Sequence, residues 1–241
     1  NNIKKIIYKY LISKADRVIV NSYEFKKQMQ RKFNIKVSCI LNPLNLNDIK
    51  KKSKLGRSDP FFKKKDCLKL INLGRFTEQK DQITILKACK ILKKEFNFRL
   101  LILGKGREKF RMQKFISDNS LTNNIKIKNF VENPFKIISQ SDIFILSSRY
   151  EGLPNVLLEA ASLKRIILST KCPTGPKEIL LNGKGGLLFS VGNYRELASK
   201  IVYFYNNKKK SKLMLSKACY SLDRFDFKLN LEKYLKIVDF K

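Results

Sequence analysis

At 241 residues the chain can bury a substantial core and holds one large or two small domains. It carries 52 Lys+Arg against 20 Asp+Glu, a net charge of +32, and no histidine, which excludes a Ser-His-Asp mechanism, a histidine general base and a histidine-ligated metal within the chain. No apolar run reaches the ~18–20 residues of a membrane-spanning helix, and the opening NNIKKIIYKYLISKADR lacks the apolar core and cleavage site of a signal peptide.

In chain order, residues 17–21 (RVIVN) read as a short strand. Asn21, with Glu24 three residues on, forms a capping box for a helix to about Lys32. Val37 to Leu41 is a second short strand, ending at Asn42-Pro43. Residues 44–66 are polar and basic, broken by Gly56 and Pro60, and read as a linker. A regular alternation follows. Strand-like runs at 68–73, 98–103, 125–129, 142–146, 166–169 and 186–189 are separated by helical patterns at about 80–95, 107–119, 133–140, 154–164 and 175–181. Helices at about 193–206, 208–220 and 229–239 finish the chain. Strands alternating with helices predict βαβ units, and right-handed crossovers make an α/β, doubly wound parallel sheet of the Rossmann-like kind.

The charge brings nucleic acid or an anionic membrane to mind. The lysines are spread over the whole chain, however, and runs such as 50–52, 63–65 and 208–210 read as solvated loops. No helix interleaves arginines with stacking aromatics and no RNP-like motif occurs, so no nucleic-acid partner is expected. Five scattered cysteines (39, 67, 89, 172 and 219), without a CxxC pair, read as reduced thiols of a cytoplasmic protein.

The junctions carry the chemistry. Gly74-Arg75, Gly104-Lys105-Gly106, Phe130 to Pro134, Ser147 to Glu151 and Thr170 to Gly175 each follow a strand and precede a helix. All therefore face one edge of the sheet, where open α/β sheets bind ligands. Glycines there let backbone approach a ligand, and helix N-termini offer free N–H groups to an anion. Gly74-Arg75 with Lys80 is either a phosphate-binding pair of cations or a strand-end glycine with two surface cations. Gly104-Lys105-Gly106 is too short for a dinucleotide fingerprint and suits a tight turn. Asn133 and Pro134 suit a helix cap and first position, with the backbone before them free to contact a base. Glu151 lies in a turn beside Gly152 and Pro154, and Glu159 follows eight positions on, two helical turns into the next pattern. Both carboxylates can accept hydrogen bonds from sugar hydroxyls above the sheet; alone, either is an ordinary surface charge at a helix start. Cys172 has no histidine partner and is not read as a nucleophile.

Taken in series, GRFTEQKD at 74–81, LGKGRE at 103–108, SRYEGLPNVLLEA at 148–160 and CPTGPKEIL at 172–180 resemble the carboxyl-terminal half of retaining glycosyltransferases of family 4, which have the GT-B fold. The likeness covers about residues 15–241. It implies a remnant of the amino-terminal domain at 1–50, a linker at 51–66, a nucleotide-sugar-binding second domain at 67–225 and a crossover helix at 226–241. By the same resemblance, Arg75 and Lys80 hold the donor diphosphate and stabilise the leaving nucleotide, with Gly74 and Gly104 close by. Glu151 contacts the donor sugar hydroxyls, and the backbone of Gly152, Leu153, Pro154 and Asn155 lies near sugar and phosphate. Glu159 binds the ribose hydroxyls, while Phe130 and Val131 lie along the uracil. No metal and no other cofactor is expected, because the cations and a helix N-terminus do the electrostatic work. The CPTGPKEIL form implies transfer of a hexose or N-acetylhexosamine from a UDP-sugar, with retention, to a lipid-linked or saccharide acceptor in cell-surface glycan synthesis. Peripheral contact with the inner, anionic face of the plasma membrane goes with that role. Two-domain relatives bring an amino-terminal half with the acceptor site and usually a histidine. The expectation for this chain is therefore a donor-binding half that needs a separately encoded amino-terminal half for turnover, or a non-catalytic nucleotide-sugar-binding fragment. Leu231, Tyr234, Leu235 and Val238 of the last helix make one apolar face, expected to be exposed.

Overall fold

A computed structural model describes residues 2–55 and 57–238. Two compact units are found, one formed by the residues up to Asn45 together with those from Asp223, the other by Leu46–Leu222.

The smaller unit begins with α1 (Asn2–Ser13), β1 (Ile19–Val20), α2 (Tyr23–Phe33) and β2 (Ser38–Cys39). α1 escapes the sequence pattern because Ile6, Ile7, Tyr8, Tyr10 and Leu11 are all exposed, so no buried stripe marks it. β1 and β2 pair in parallel, Ile19 with Ser38 and Val20 with Cys39. The cap of α2 is Ser22, not Asn21: the Ser22 hydroxyl accepts from the Phe25 N–H at 3.2 Å. Asn21 closes β1 and donates its side-chain amide to Asn42 Oδ1 at 3.0 Å. The left-handed Asn34 ends the helix.

The larger unit starts with α3 (Leu46–Leu55), and this corrects the linker expected at 51–66. A 3-10 turn at Pro60–Phe62 follows, capped by Asp59 Oδ1, which accepts from the Phe61 N–H at 2.9 Å. Phe61 and Phe62 are buried, and so is Ile49 of α3. A helix with one buried apolar residue among lysines reads as polar chain, which is why it looked like a linker. Gly56, read as its breaker, lies outside the described residues.

Strands and helices then alternate: β3 (Leu68–Leu73), α4 (Gln82–Leu92), β4 (Phe98–Leu103), α5 (Lys109–Asp118), β5 (Ile125–Lys128), α6 (Phe135–Gln140), β6 (Ile143–Leu146), α7 (Asn155–Ser162), β7 (Ile166–Thr170), α8 (Pro176–Ile179), β8 (Leu187–Phe189), α9 (Tyr194–Asn206) and α10 (Lys208–Tyr220). The last helix, α11 (Phe227–Val238), belongs to the smaller unit. Its Leu231, Tyr234 and Leu235 are exposed, as expected of that face, whereas Val238 is only partly exposed; position 239, the expected end of the helix, lies outside the described residues.

The six strands of the larger unit form one wholly parallel sheet in the order β5-β4-β3-β6-β7-β8. Two runs of strands grow outward from the β3/β6 pair, so the order reverses there, and that crevice is where a doubly wound sheet takes its ligand. Both faces are covered, which explains the nearly continuous apolar strands. Leu70, Leu100, Ile143, Leu168 and Phe189 form one core with α4, α5 and α9. The alternate side chains Ile71, Leu101, Phe144 and Ile167 are equally buried, as a period of two requires when helices cover the other face too. Among the described residues no helix is long and apolar enough to cross a membrane.

Leu100 sits fully buried at the middle of β4, in register between Leu70 and Ile125. Leu100→Ala is expected to cost about 2–5 kcal/mol of stability, read as a fall in the urea midpoint at unchanged slope.

Candidate active site

β3 and β6 are in register only at Leu70 with Ile143 and Ile71 with Phe144. Beyond that point the buried Asn72 takes over, its side-chain amide donating to the Ile145 carbonyl at 2.8 Å. The loops that follow the two strands are then free to meet. The Ser147 hydroxyl donates to the Lys80 carbonyl at 2.7 Å, the Arg149 N–H to the Gln79 carbonyl at 2.8 Å, and the Gln79 amide to the Tyr150 carbonyl at 3.0 Å.

Between the zipped loops Lys80 Nζ lies 2.6 Å from Glu151 Oε1, with the two side chains only 16% and 8% exposed. The Ser148 hydroxyl donates to the same oxygen at 2.6 Å. A carboxylate this enclosed is tolerated because a cation and a hydroxyl replace its water. The turn carrying it is held from behind by the segment after β7. Thr170 Oγ1 donates to the Ser148 carbonyl at 2.6 Å, and the Thr174 hydroxyl donates to the carbonyls of Glu151 and Gly152. Gly175 is required there: its φ is +43°, and a Cβ would lie 2.0 Å from the Gly152 oxygen. Cys172 is wholly buried in this clamp, and burial pushes its thiol pKa up, the opposite of an activated nucleophile.

A cleft of about 400 Å³ adjoins, lined by Gly74, Arg75, Gly104, Phe130, Val131 and Glu159 among others. Six of the residues singled out in the sequence thus share one cavity. Phe130 is 68% exposed, an aromatic face offered to a flat ring. The Arg75 guanidinium is exposed, and no acidic partner is found for it among the described residues. Arg75 is anchored by its backbone, whose carbonyl accepts from Gln82 at 3.0 Å. Gly104 answers to its tight-turn reading as well as lining the cleft, since a Cβ would lie 2.0 Å from the Gly74 oxygen. The two carboxylates do not share the cleft. Glu159 lines it, whereas Glu151 is turned toward Lys80 and Ser148. No hydrogen bond to the Glu159 carboxylate is found among the described residues, and burial raises its pKa.

Asn133 caps as expected but one step earlier: its Oδ1 accepts from the Phe135 N–H at 3.3 Å, and Pro134 takes the cap position rather than the first helical one. Gly152 to Asn155 lead into α7, and the Leu157 N–H of its first turn donates to the Pro154 carbonyl at 3.0 Å. Ser148, Thr170 and Thr174 fall within the marked junctions, but the sequence assigns none of them a role. Their hydroxyls matter through direction, which residue type alone does not convey. Among the described residues no three of His, Cys, Asp or Glu gather closely enough to hold a metal ion.

These features define a ligand crevice at the switch point of a Rossmann-like sheet. Residues 57–220 match the family Glycosyl transferases group 1, and the chain belongs to it. It is 38% identical over 182 residues to a glycosyltransferase of Methanocaldococcus jannaschii, covering 73% of this chain and 44% of that protein. It is 26% identical over 235 residues to the N-acetylgalactosamine-N,N'-diacetylbacillosaminyl-diphospho-undecaprenol 4-alpha-N-acetylgalactosaminyltransferase of Campylobacter jejuni, covering 94% and 62%. The chain thus spans only part of the length of both relatives. A crystal structure of Anabaena HepE in complex with UDP-glucose superposes with a TM-score of 0.79 at 19% identity, over 93% of this chain and 64% of that one, a likeness of fold.

The raised pKa of Glu159 has a measurable consequence. Its folded value lies above the unfolded one, so wild-type stability falls as pH rises through the interval between the two. Glu159→Gln is therefore expected to be the more stable chain at pH 7 and to lose that advantage below about pH 4, where the unfolded carboxylate also protonates. Urea midpoints measured across pH check the sign.

Proposed function

We propose that the chain holds the donor of a retaining, family 4 glycosyltransferase, binding a UDP-sugar across the β3/β6 crevice without a metal ion. The observation that carries this reading is the division of labour at one sheet edge. An aromatic-walled cleft ends in the Glu159 carboxylate, for which no partner is found among the described residues, and beside it lie the cations of Arg75 and Lys80. In this reading Phe130 and Val131 flank the uracil, and Glu159 accepts from the ribose hydroxyls. Arg75, Lys80 and the N–H groups at the start of α7 neutralise the diphosphate, both in the ground state and as negative charge builds on the leaving UDP. Glu151 uses its free oxygen on a hydroxyl of the sugar, and the Gly152 to Asn155 backbone lies along sugar and phosphate.

The relatives suggest the wider setting. The Campylobacter protein is named for transfer of N-acetylgalactosamine onto an undecaprenyl-linked diphosphate, and the HepE complex contains UDP-glucose. A hexose or N-acetylhexosamine and a lipid-linked or saccharide acceptor in cell-surface glycan assembly follow as this chain's proposed substrates. The net charge of +32 would favour work at the anionic cytoplasmic face of a membrane. Transfer needs the acceptor held in register with the donor. We therefore propose that an amino-terminal half supplies the acceptor site, and that residues 46–222 alone supply the donor wall.

Calorimetry of the chain with UDP in EDTA is expected to show binding; binding that appears only with magnesium or manganese would overturn the metal-free site. Glu159→Ala is expected to weaken UDP and UDP-sugar alike by roughly ten- to a hundred-fold, the cost of losing about 1.5–3 kcal/mol of hydrogen bonding to a charged group. Glu151→Ala is expected to spare UDP and remove the extra affinity contributed by the sugar. Negligible effects of both would reduce the two carboxylates to helix-start charges.

A further inference from the structure

We propose that Ser148 is a positioning residue that sets sugar discrimination through Glu151. The proposal rests on the reading of Glu151 as the contact to the donor sugar.

Ser148 is fully buried, so its hydroxyl is committed to the protein interior and cannot meet a ligand directly. It donates to Glu151 Oε1, the oxygen that also takes Lys80. No partner is found for Oε2 among the described residues. Two donors on one oxygen fix the rotation of the carboxylate and leave the other oxygen able to accept a further hydrogen bond. The backbone on both sides is pinned as well: Thr170 holds the Ser148 carbonyl, and Thr174 holds those of Glu151 and Gly152. The torsions of the Glu151 side chain are then the remaining freedom, and the hydroxyl removes it.

Ser148 matters most when the nucleotide is present. A diphosphate competes with Glu151 for the single ammonium of Lys80. Once Lys80 turns toward phosphate, its hold on Oε1 weakens, and the Ser148 hydroxyl alone keeps the carboxylate in place. A loosened carboxylate can still accept a hydrogen bond, but from either epimeric position of a pyranose hydroxyl. The expected defect is therefore lost discrimination rather than lost nucleotide affinity.

The test is calorimetry on the full chain with UDP, UDP-glucose, UDP-galactose, UDP-N-acetylglucosamine and UDP-N-acetylgalactosamine, on wild type, Ser148→Ala, Ser148→Thr, Glu151→Ala and the Ser148→Ala/Glu151→Ala double variant. Ser148→Ala is expected to bind UDP within about twofold of wild type, which also reports an intact fold. Its ratio of affinities between the preferred sugar and its epimer is expected to fall about tenfold, the scale of one hydrogen bond to a charged group. Ser148→Thr, which keeps the hydroxyl, should restore part of the ratio. The double variant should behave like Glu151→Ala alone, because Ser148 acts only through that carboxylate. If Glu151→Ala lowers the ratio and Ser148→Ala does not, the positioning role is overturned while the Glu151 reading stands. Full additivity of the two substitutions also overturns it. If Glu151→Ala leaves the ratio unchanged, both fall together.

Discussion

The site is organised around a carboxylate that has been taken out of water. Glu151 lies at the mouth of a parallel sheet with only 8% of its side chain exposed. A buried charge is sustained only if its partners arrive with good geometry. Lys80 and Ser148 meet that demand, and the surrounding loops are arranged so that they can. The three bonds that zip residues 79–80 to residues 147–150 bring the ammonium to the carboxylate. The threonines after β7 hold the turn that presents it. Each of these bonds is modest in itself; together they convert flexible loop ends into a rigid polar cluster.

That cluster can exist because of how the sheet is wound. The order reverses between β3 and β6, so their following loops leave toward opposite faces and open a crevice between them. Ladder pairing between the two strands stops at Ile71 and Phe144, and the Asn72 side chain continues it for one more bond. The strands are thereby closed through the core and parted beyond it, at the mouth of the crevice. Close backbone packing supports the same arrangement. Gly104 lies against the Gly74 carbonyl and Gly175 against the Gly152 carbonyl, at distances no side chain allows.

The two glutamates of the site meet opposite fates. Glu151 is enclosed and fully engaged on one oxygen. Glu159 is half-buried, with no hydrogen-bond donor to it among the described residues, and burial raises its pKa. Leaving a charge short of partners opposes stability, and such positions concentrate where a ligand supplies what the fold withholds. The cleft beside Glu159 is otherwise aromatic and apolar, so a ligand with a flat ring and adjacent hydroxyls would meet both of its characters.

Much of the fold was legible in the residues. LKLINL and FRLLIL are largely apolar runs followed by glycine, and they become β3 and β4 with the bounds the pattern indicates. The alternation of such runs with helical periods determined a parallel sheet, and the polar residues after each run fall together at one edge of it. These are local properties, carried by side-chain hydropathy and by backbone preference over a few positions. What only the tertiary structure decided lies beyond that range. α3 was hidden in a basic stretch because its single buried residue, Ile49, shows itself only against the rest of the unit. Ser22 displaced Asn21 as cap because Asn21 is engaged by Asn42, 21 positions away. The pairing of Lys80 with Glu151 joins residues 71 positions apart, and the Thr174 clamp spans 23. Hydropathy tells which residues leave water. It does not tell which donor faces which oxygen, because hydrogen-bond direction is settled only once separate loops have been brought to the same sheet edge.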